Sequence, residues 1–200
     1  SADLLAMSIL VKSPEYDLKK GDRVLVPAIT WPTQVWSILQ AGLRPVLYDC
    51  SPKNFNPDIK TVPKEVLSSC KMVFTTHILG TCCDMDELQE ISDDYNLLLA
   101  EDACESLGTK YRNKQVGTFG EVGTFSTFFS HHITTMEGGL LCTNNKDLIN
   151  QAKIMRAHGW SRSLQDLGLD IFCKKRNISL EEFSDIDPRY LFLDEGYNLR

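Results

Sequence analysis

The sequence predicts an α/β domain built on a mostly parallel sheet with helices on both faces, and two observations predict it. Short apolar runs of strand character alternate with segments whose apolar residues recur at helical spacing, the order that successive βαβ units produce. The strand-like runs are nearly continuous in their apolar character, as strands buried on both faces are. Two hundred residues with 42% hydrophobic content suffice for one substantial core.

At the start, Leu4, Leu5, Met7, Ile9 and Leu10 make an amphipathic helical run. Arg23–Pro27 (RVLVP) reads as a buried strand, followed by a helix through Trp36, Ile38 and Leu39 that stops at Gly42. Residues 45–48 are the next strand, 64–69 a helix and Met72–Thr76 a strand. Leu88, Ile91 and Tyr95 place a helix over 86–95, and 97–100 is a short strand running into Glu101-Asp102. Residues 122–129 and 140–143 are strand-like, and 147–157 is helical. Residues 163–194 mix charges with isolated hydrophobics and show no dominant period, so they read as an irregular excursion with one short helix at Leu180–Phe183. The expected organisation is a sheet-bearing large domain over 1–162, then 163–200 leading toward a small C-terminal domain that the sequence does not contain. Ser1 opens directly into a helical run and 196–200 stop without a polar tail, so the expectation is an internal piece of a longer chain.

A formal net charge of −6 argues against non-specific nucleic-acid binding, which needs a basic face. No stretch is apolar for long enough to span a bilayer as a helix, and the first residues lack the layout of a signal peptide. Seven cysteines, an odd number with no C-x-x-C spacing, indicate neither a zinc knuckle nor a disulfide framework and fit a reducing cytoplasm.

In open α/β sheets ligands sit at the carboxyl ends of the strands, and polar groups gather at several such ends here. Asp102 could pair with a cation such as a protonated pyridine nitrogen, or it could cap the segment that follows. Trp31 could stack on a flat ring or simply pack. The segment from Ser126 to Gly139 holds two adjacent histidines, His131 and His132, with hydroxyls on both sides and a Glu-Gly-Gly turn. Imidazole suits proton transfer near neutrality. A buried structural pair is the bland alternative, and no third ligand at a helical offset supports a metal. His77 and His158 read as hydrogen-bonded structural residues.

The stretches GDRVLVPAITWPT, AGLRPVLYDC, FTTHILGTCCDMDEL, EDACESLG, FSTFFSHHITTMEGG, MRAHGWSR and GYNLR together resemble the DegT/DnrJ/StrS family of sugar aminotransferases. The resemblance implies a three-layer α/β/α fold of the pyridoxal phosphate (PLP)-dependent transferases, fold type I, of which this chain is the large-domain part. The family's catalytic lysine stands where this chain has His131, and no lysine lies between Lys114 and Lys146. That departure resembles the branch of sugar 3-dehydratases. Carried over, Asp102 pairs with the pyridine nitrogen, Trp31 stacks on the ring, and Glu105 takes the position of the usual glutamine near the ring hydroxyl. Ser126, with Ser1 and Ala2 at a helix N-terminus, holds the phosphate, and Asn198 reaches the phosphate in the neighbouring subunit of a homodimer.

Without a primary amine at 131 the cofactor cannot be held covalently there. The resemblance therefore implies non-covalent pyridoxamine phosphate (PMP) or PLP, with His131 as the base. The reaction implied is removal of the C3 hydroxyl from a nucleotide-linked 4-keto-6-deoxy sugar, for deoxysugar or surface-polysaccharide synthesis, with glutamate as amino donor. The related iron-sulfur type is disfavoured because only Cys173 lies in the relevant stretch. Two other outcomes stay open: an aminotransferase with an unusual base, and a catalytically silent relative.

Overall fold

A computed structural model of the chain describes residues 1–164, 166–187 and 190–199, leaving aside the side chains at 163, 166 and 167. Arg200, the last residue of the matching stretch GYNLR, lies outside the described residues. The chain forms two compact units, Ser1–Asn144 and Asn145–Arg200.

In the first unit the elements follow the order α1 (Ala2–Lys12), β1 (Arg23–Pro27), α2 (Pro32–Gln40), β2 (Arg44–Tyr48), α3 (Lys64–Leu67), β3 (Met72–Thr76), α4 (Met85–Tyr95), β4 (Leu98–Asp102), β5 (Lys110–Tyr111), β6 (Lys114–Gln115), β7 (Val122–Ser126) and β8 (Gly139–Cys142). Six strands form one sheet in the order β2-β1-β3-β4-β7-β8. All its pairings are parallel except β7 with β8, so the expected mostly parallel sheet is the one that forms.

Side chains alternate across a strand, which sorts the core into two layers. Leu25, Val73 and Leu99 pack with Leu67 of α3 and with Met85 and Leu88 of α4. Their neighbours Val24, Met72, Phe74 and Ala100 are fully buried on the opposite face, where α1 and α2 pack on each other and α1 reaches β7 and β8. By the same alternation Asp102 lies on the α1 face, with Ala100, and Glu101 on the α4 face, with Leu99. Neighbours in sequence thus serve different layers.

The first helix departs from its expected character. Asp3, Leu5 and every residue from Ala6 to Leu10 are buried, so α1 is enclosed nearly all round, as a helix between a sheet and another helix must be. α2 begins with Pro32 in its first turn and gives way to Gly42 at φ 82°, matching the expected stop. Asp84 caps α4 by accepting from the Glu87 amide, and Asn96 closes it in the left-handed region. The ribbon β5–β6, turning through Arg112 and Asn113 at positive φ, was not foreseen, because two-residue strands are too short to show a period. β7 ends at Ser126 rather than running to 129: the Ser126 hydroxyl accepts from the Phe128 amide and turns the chain.

The second unit opens with α5 (Lys146–Met155), the helix expected over 147–157, capped by the Asn145 side chain. α6 (Asp166–Lys175) lies within the stretch read as irregular. Its Phe172 and Cys173 are buried against Ile154 of α5. Gly168 and a charged C-terminal end weaken the local helical signal, and the packing of Phe172 supplies what propensity lacks. Leu180–Phe183 is a single 3-10 turn, at the expected place. Among the described residues no helix is long and apolar enough to cross a membrane.

Candidate active site

Parallel pairing brings the ends of β1, β3, β4 and β7 to one edge of the first unit. β8 runs the other way and starts at that same edge, with Gly139 opposite Ser126. A Cβ on Gly139 would stand 3.1 Å from the Cβ of Ala2 and 3.1 Å from the Phe125 carbonyl oxygen, so α1 begins directly against this corner. Ser1, Ala2 and Ser126 are thereby brought together. The first amides of α1 have no acceptor within the helix, and the Ser1 side chain makes no capping bond.

Asp102 closes β4 and is buried. Its Oδ1 accepts from the Cys104 amide at 3.0 Å, so the carboxylate caps a tight turn and not a helix. Burial, then the nearby Asp3 carboxyl, push its pKa up to about 8. Asp3 is raised as well, by its own burial, although its Oδ1 accepts from the Thr124 hydroxyl at 2.6 Å. Donor atoms of Asp3, Asp102 and Cys104 lie within 4.8 Å of one another. Among the described residues no lysine, arginine or histidine side chain is ion-paired with either carboxyl.

His131 stands in the 127–138 loop between β7 and β8, half-buried, where its amide donates to the Phe128 carbonyl. Its Nδ1 lies 2.9 Å from the carbonyl oxygen of Cys104. A carbonyl only accepts, so Nδ1 carries the hydrogen and the neutral ring keeps its lone pair on Nε2. The Cys104 peptide therefore serves both groups: its N–H holds Asp102 and its C=O orients His131. His132 is exposed and has no comparable anchor among the bonds described.

Trp31 occupies the N-cap position of α2 and is 68% exposed, so its indole does not serve as packing within this chain. Its turn is pinned from below. Buried Gln34 donates to the Phe74 and Thr75 carbonyls, and its Oε1 accepts from the Thr30 and Thr76 hydroxyls. Glu105 follows the Asp102 turn and accepts from the Leu79 amide at 2.8 Å, which ties the loop after β3 to the loop after β4. Asn198 belongs to the second unit, where it is exposed and bridges Ala157.

His77 is structural, as expected, and part of a larger clamp. His77 and Glu101 are both fully enclosed, with Nε2 and Oε2 3.0 Å apart. His77 Nδ1 accepts from the Cys83 amide, which leaves Nε2 as the donor to Glu101. The amides of Gly117, Phe119 and Gly120 also donate to Glu101. Burial alone would raise this carboxyl, yet the bond from His77 and those from the loop amides outweigh it and hold it below its ordinary value.

Asp3, Cys104 and Glu101 are the residues that sequence reasoning missed. Asp3 lies in the first turn of a helix, where an acidic residue is ordinary. Cys104 acts through its backbone, which its side-chain identity does not advertise. Only Glu101, a lone acidic residue inside an apolar run, left a readable signal.

The fold is that of the PLP-dependent transferases, a mostly parallel sheet between helical layers. Within that class the chain belongs to the DegT/DnrJ/EryC1/StrS aminotransferase family, which it matches over residues 4–179. It is 36% identical over 200 residues to GDP-4-keto-6-deoxy-D-mannose 3-dehydratase of Escherichia coli O55:H7, covering all of this chain and 50% of that protein. It is 38% identical over 139 residues to GDP-perosamine synthase of Caulobacter vibrioides, covering 70% of this chain and 38% of the other. A crystal structure of GDP-4-keto-6-deoxymannose-3-dehydratase with a trapped PLP-glutamate geminal diamine superposes with a TM-score of 0.85 at 36% identity, covering 100% of this chain and 50% of that one. The chain spans about half the length of the curated relatives it matches.

Proposed function

We propose that this chain is the cofactor-binding part of a PMP/PLP-dependent 3-dehydratase acting on a nucleotide-linked 4-keto-6-deoxyhexose. The observation that carries the reading is His131, anchored through Nδ1 on the Cys104 carbonyl, in a segment with no lysine between Lys114 and Lys146. The 3-dehydratase relatives and the PLP-glutamate adduct in one of their structures support the reaction, the coenzyme and glutamate as amino donor.

The residues present fit such a coenzyme. Two buried carboxyls that no lysine, arginine or histidine side chain pairs with among the described residues suit a protonated pyridine nitrogen. The corner formed by Ser126, Gly139 and the start of α1 suits a phosphate, and the exposed Trp31 indole suits a ring face. Bound PMP would supply a primary amine for the sugar ketone and an electron-poor ring that accepts carbanion charge.

In this reading Asp102 holds the proton on the ring nitrogen, Ser126 with the Ser1 and Ala2 end of α1 holds the phosphate, and Trp31 fixes the plane of the ring. Glu105 would face the ring hydroxyl. Nε2 of His131 would take and return a proton at the carbon bearing the reactive amine. Asn198 reaches the phosphate of a second subunit in a homodimer. The seven free cysteines are what a reducing cytoplasm would leave.

The test uses the natural-length protein with PMP, glutamate and a set of nucleotide-linked 4-keto-6-deoxy sugars, with products read by mass spectrometry. The expected product has lost the C3 oxygen and carries no nitrogen on the sugar. Borohydride added with PLP should leave no covalent adduct, and a lysine-specific adduct would overturn the reading. An aminotransferase is the second reading, favoured by the identity to GDP-perosamine synthase; an amino sugar that keeps its C3 hydroxyl would decide for it.

A further inference from the structure

Asp3 and Asp102 meet in one of the most enclosed places of the first unit. Asp3 is 7% exposed and Asp102 4%, and oxygens of the two carboxyls lie within 4.8 Å of each other. They are far apart in this unit's sequence: Asp3 comes from the first turn of α1, Asp102 from the end of β4. Like charges so placed repel, and burial strengthens the repulsion. The donors present do not offset it. The Thr124 hydroxyl donates to Asp3, and the amide and thiol of Cys104 donate to Asp102, all of them neutral donors. The other titratable groups facing the pair are the Cys104 thiol and Glu105. A fold selected for stability alone would place an amide or an apolar side chain at position 3.

We propose that Asp3 is a second acidic group of the ring-nitrogen pocket, an electrostatic positioning residue that costs the free protein stability and strengthens its hold on a protonated pyridine ring. Asp102 would touch the ring nitrogen, and Asp3 would act through Asp102 by adding negative potential at the same point. The arrangement spends folding stability on ligand affinity, a recurrent trade at sites built to receive a charge. The inference rests on the coenzyme reading above and adds a residue to it.

Asp3→Asn separates the electrostatic role from a packing role, because the amide keeps an oxygen for Thr124 and removes only the charge. Three readouts apply to the natural-length protein. Thermal unfolding of the cofactor-free protein should move to higher temperature in Asp3→Asn. Affinity for PMP should fall by about tenfold, the factor that one pKa unit represents. The absorbance of bound PMP should show the ring nitrogen losing its proton at lower pH than in the unsubstituted protein. An analogue with carbon in place of the ring nitrogen should bind both proteins alike.

A purely structural Asp3 predicts the reverse: a lower melting temperature with an unchanged absorbance titration, and that result would overturn the proposal. A higher melting temperature with unchanged PMP affinity and titration would also overturn it. If the unsubstituted protein binds no PMP, the coenzyme reading fails before Asp3 is tested, so the two failures are distinguishable.

Discussion

The Nδ1 hydrogen of His131 is committed to the carbonyl oxygen of Cys104 at 2.9 Å, and the ring therefore presents Nε2 as its only basic nitrogen. Replacing His131 by Asn keeps a side-chain donor near that carbonyl and removes the base. Steady-state dehydration by the natural-length protein should fall by about 10²–10⁴-fold, the usual worth of a positioned general base, while PMP affinity stays within a few-fold. His131→Lys should instead give a PLP complex that borohydride fixes covalently at residue 131. Dehydration at the ordinary rate in His131→Asn would show that another group moves the proton.

Asp102 makes the stability of the cofactor-free protein depend on pH in a defined direction. Its folded-state pKa is raised, first by burial and then by Asp3, to about 8, against about 3.9 in an unfolded chain. The folded state thus binds a proton that the unfolded state has already released. Its contribution is fully present below the unfolded value and is lost as pH rises through the folded value. Thermal denaturation without cofactor should show the melting temperature declining from the ordinary carboxylate range to about 8. Asp102→Asn should flatten that decline and weaken PMP binding. A slope of the same steepness in Asp102→Asn would place its origin elsewhere.

Glu101 works in the opposite sense. His77 and three loop amides hold it below its ordinary value, so its contribution is present above the unfolded value and is lost as pH falls through the folded one. Glu101→Gln sets an amide NH₂ against an array of donors, and a buried donor left without its acceptor costs about 1–3 kcal/mol. Denaturant titration should report a loss of that order. A change under about 1 kcal/mol would show that the loop has rearranged around the amide.

Much of this architecture was legible because strong local patterns coincided with the tertiary arrangement. Met72–Thr76 is apolar enough to be a central strand and is one, buried at every position. Asp102 and Trp31 stood out as a carboxylate and an indole at strand ends, and the structure adds that one caps a turn beside a second carboxyl while the other is left uncovered. What escaped the sequence has physical causes. The enclosure of α1 depends on α2 and the sheet closing over it, which no local period records. α6 is held by Phe172 against Ile154, a contact between elements. The meeting of Asp3 with Asp102 spans nearly one hundred residues of chain, and the role of Cys104 belongs to its peptide group.

The antiparallel strand β8 carries a last consequence. Because it returns beside β7, residue 131 rides on a hairpin excursion whose two ends are fastened to neighbouring strands, and no crossover helix depends on it. The chemical identity of the side chain at 131 is thereby uncoupled from the scaffold. A cassette of a dozen residues could be exchanged between amine-bearing and imidazole-bearing versions without rebuilding the sheet, which under the proposed function makes this hairpin the natural unit for switching between replacing an oxygen and removing one.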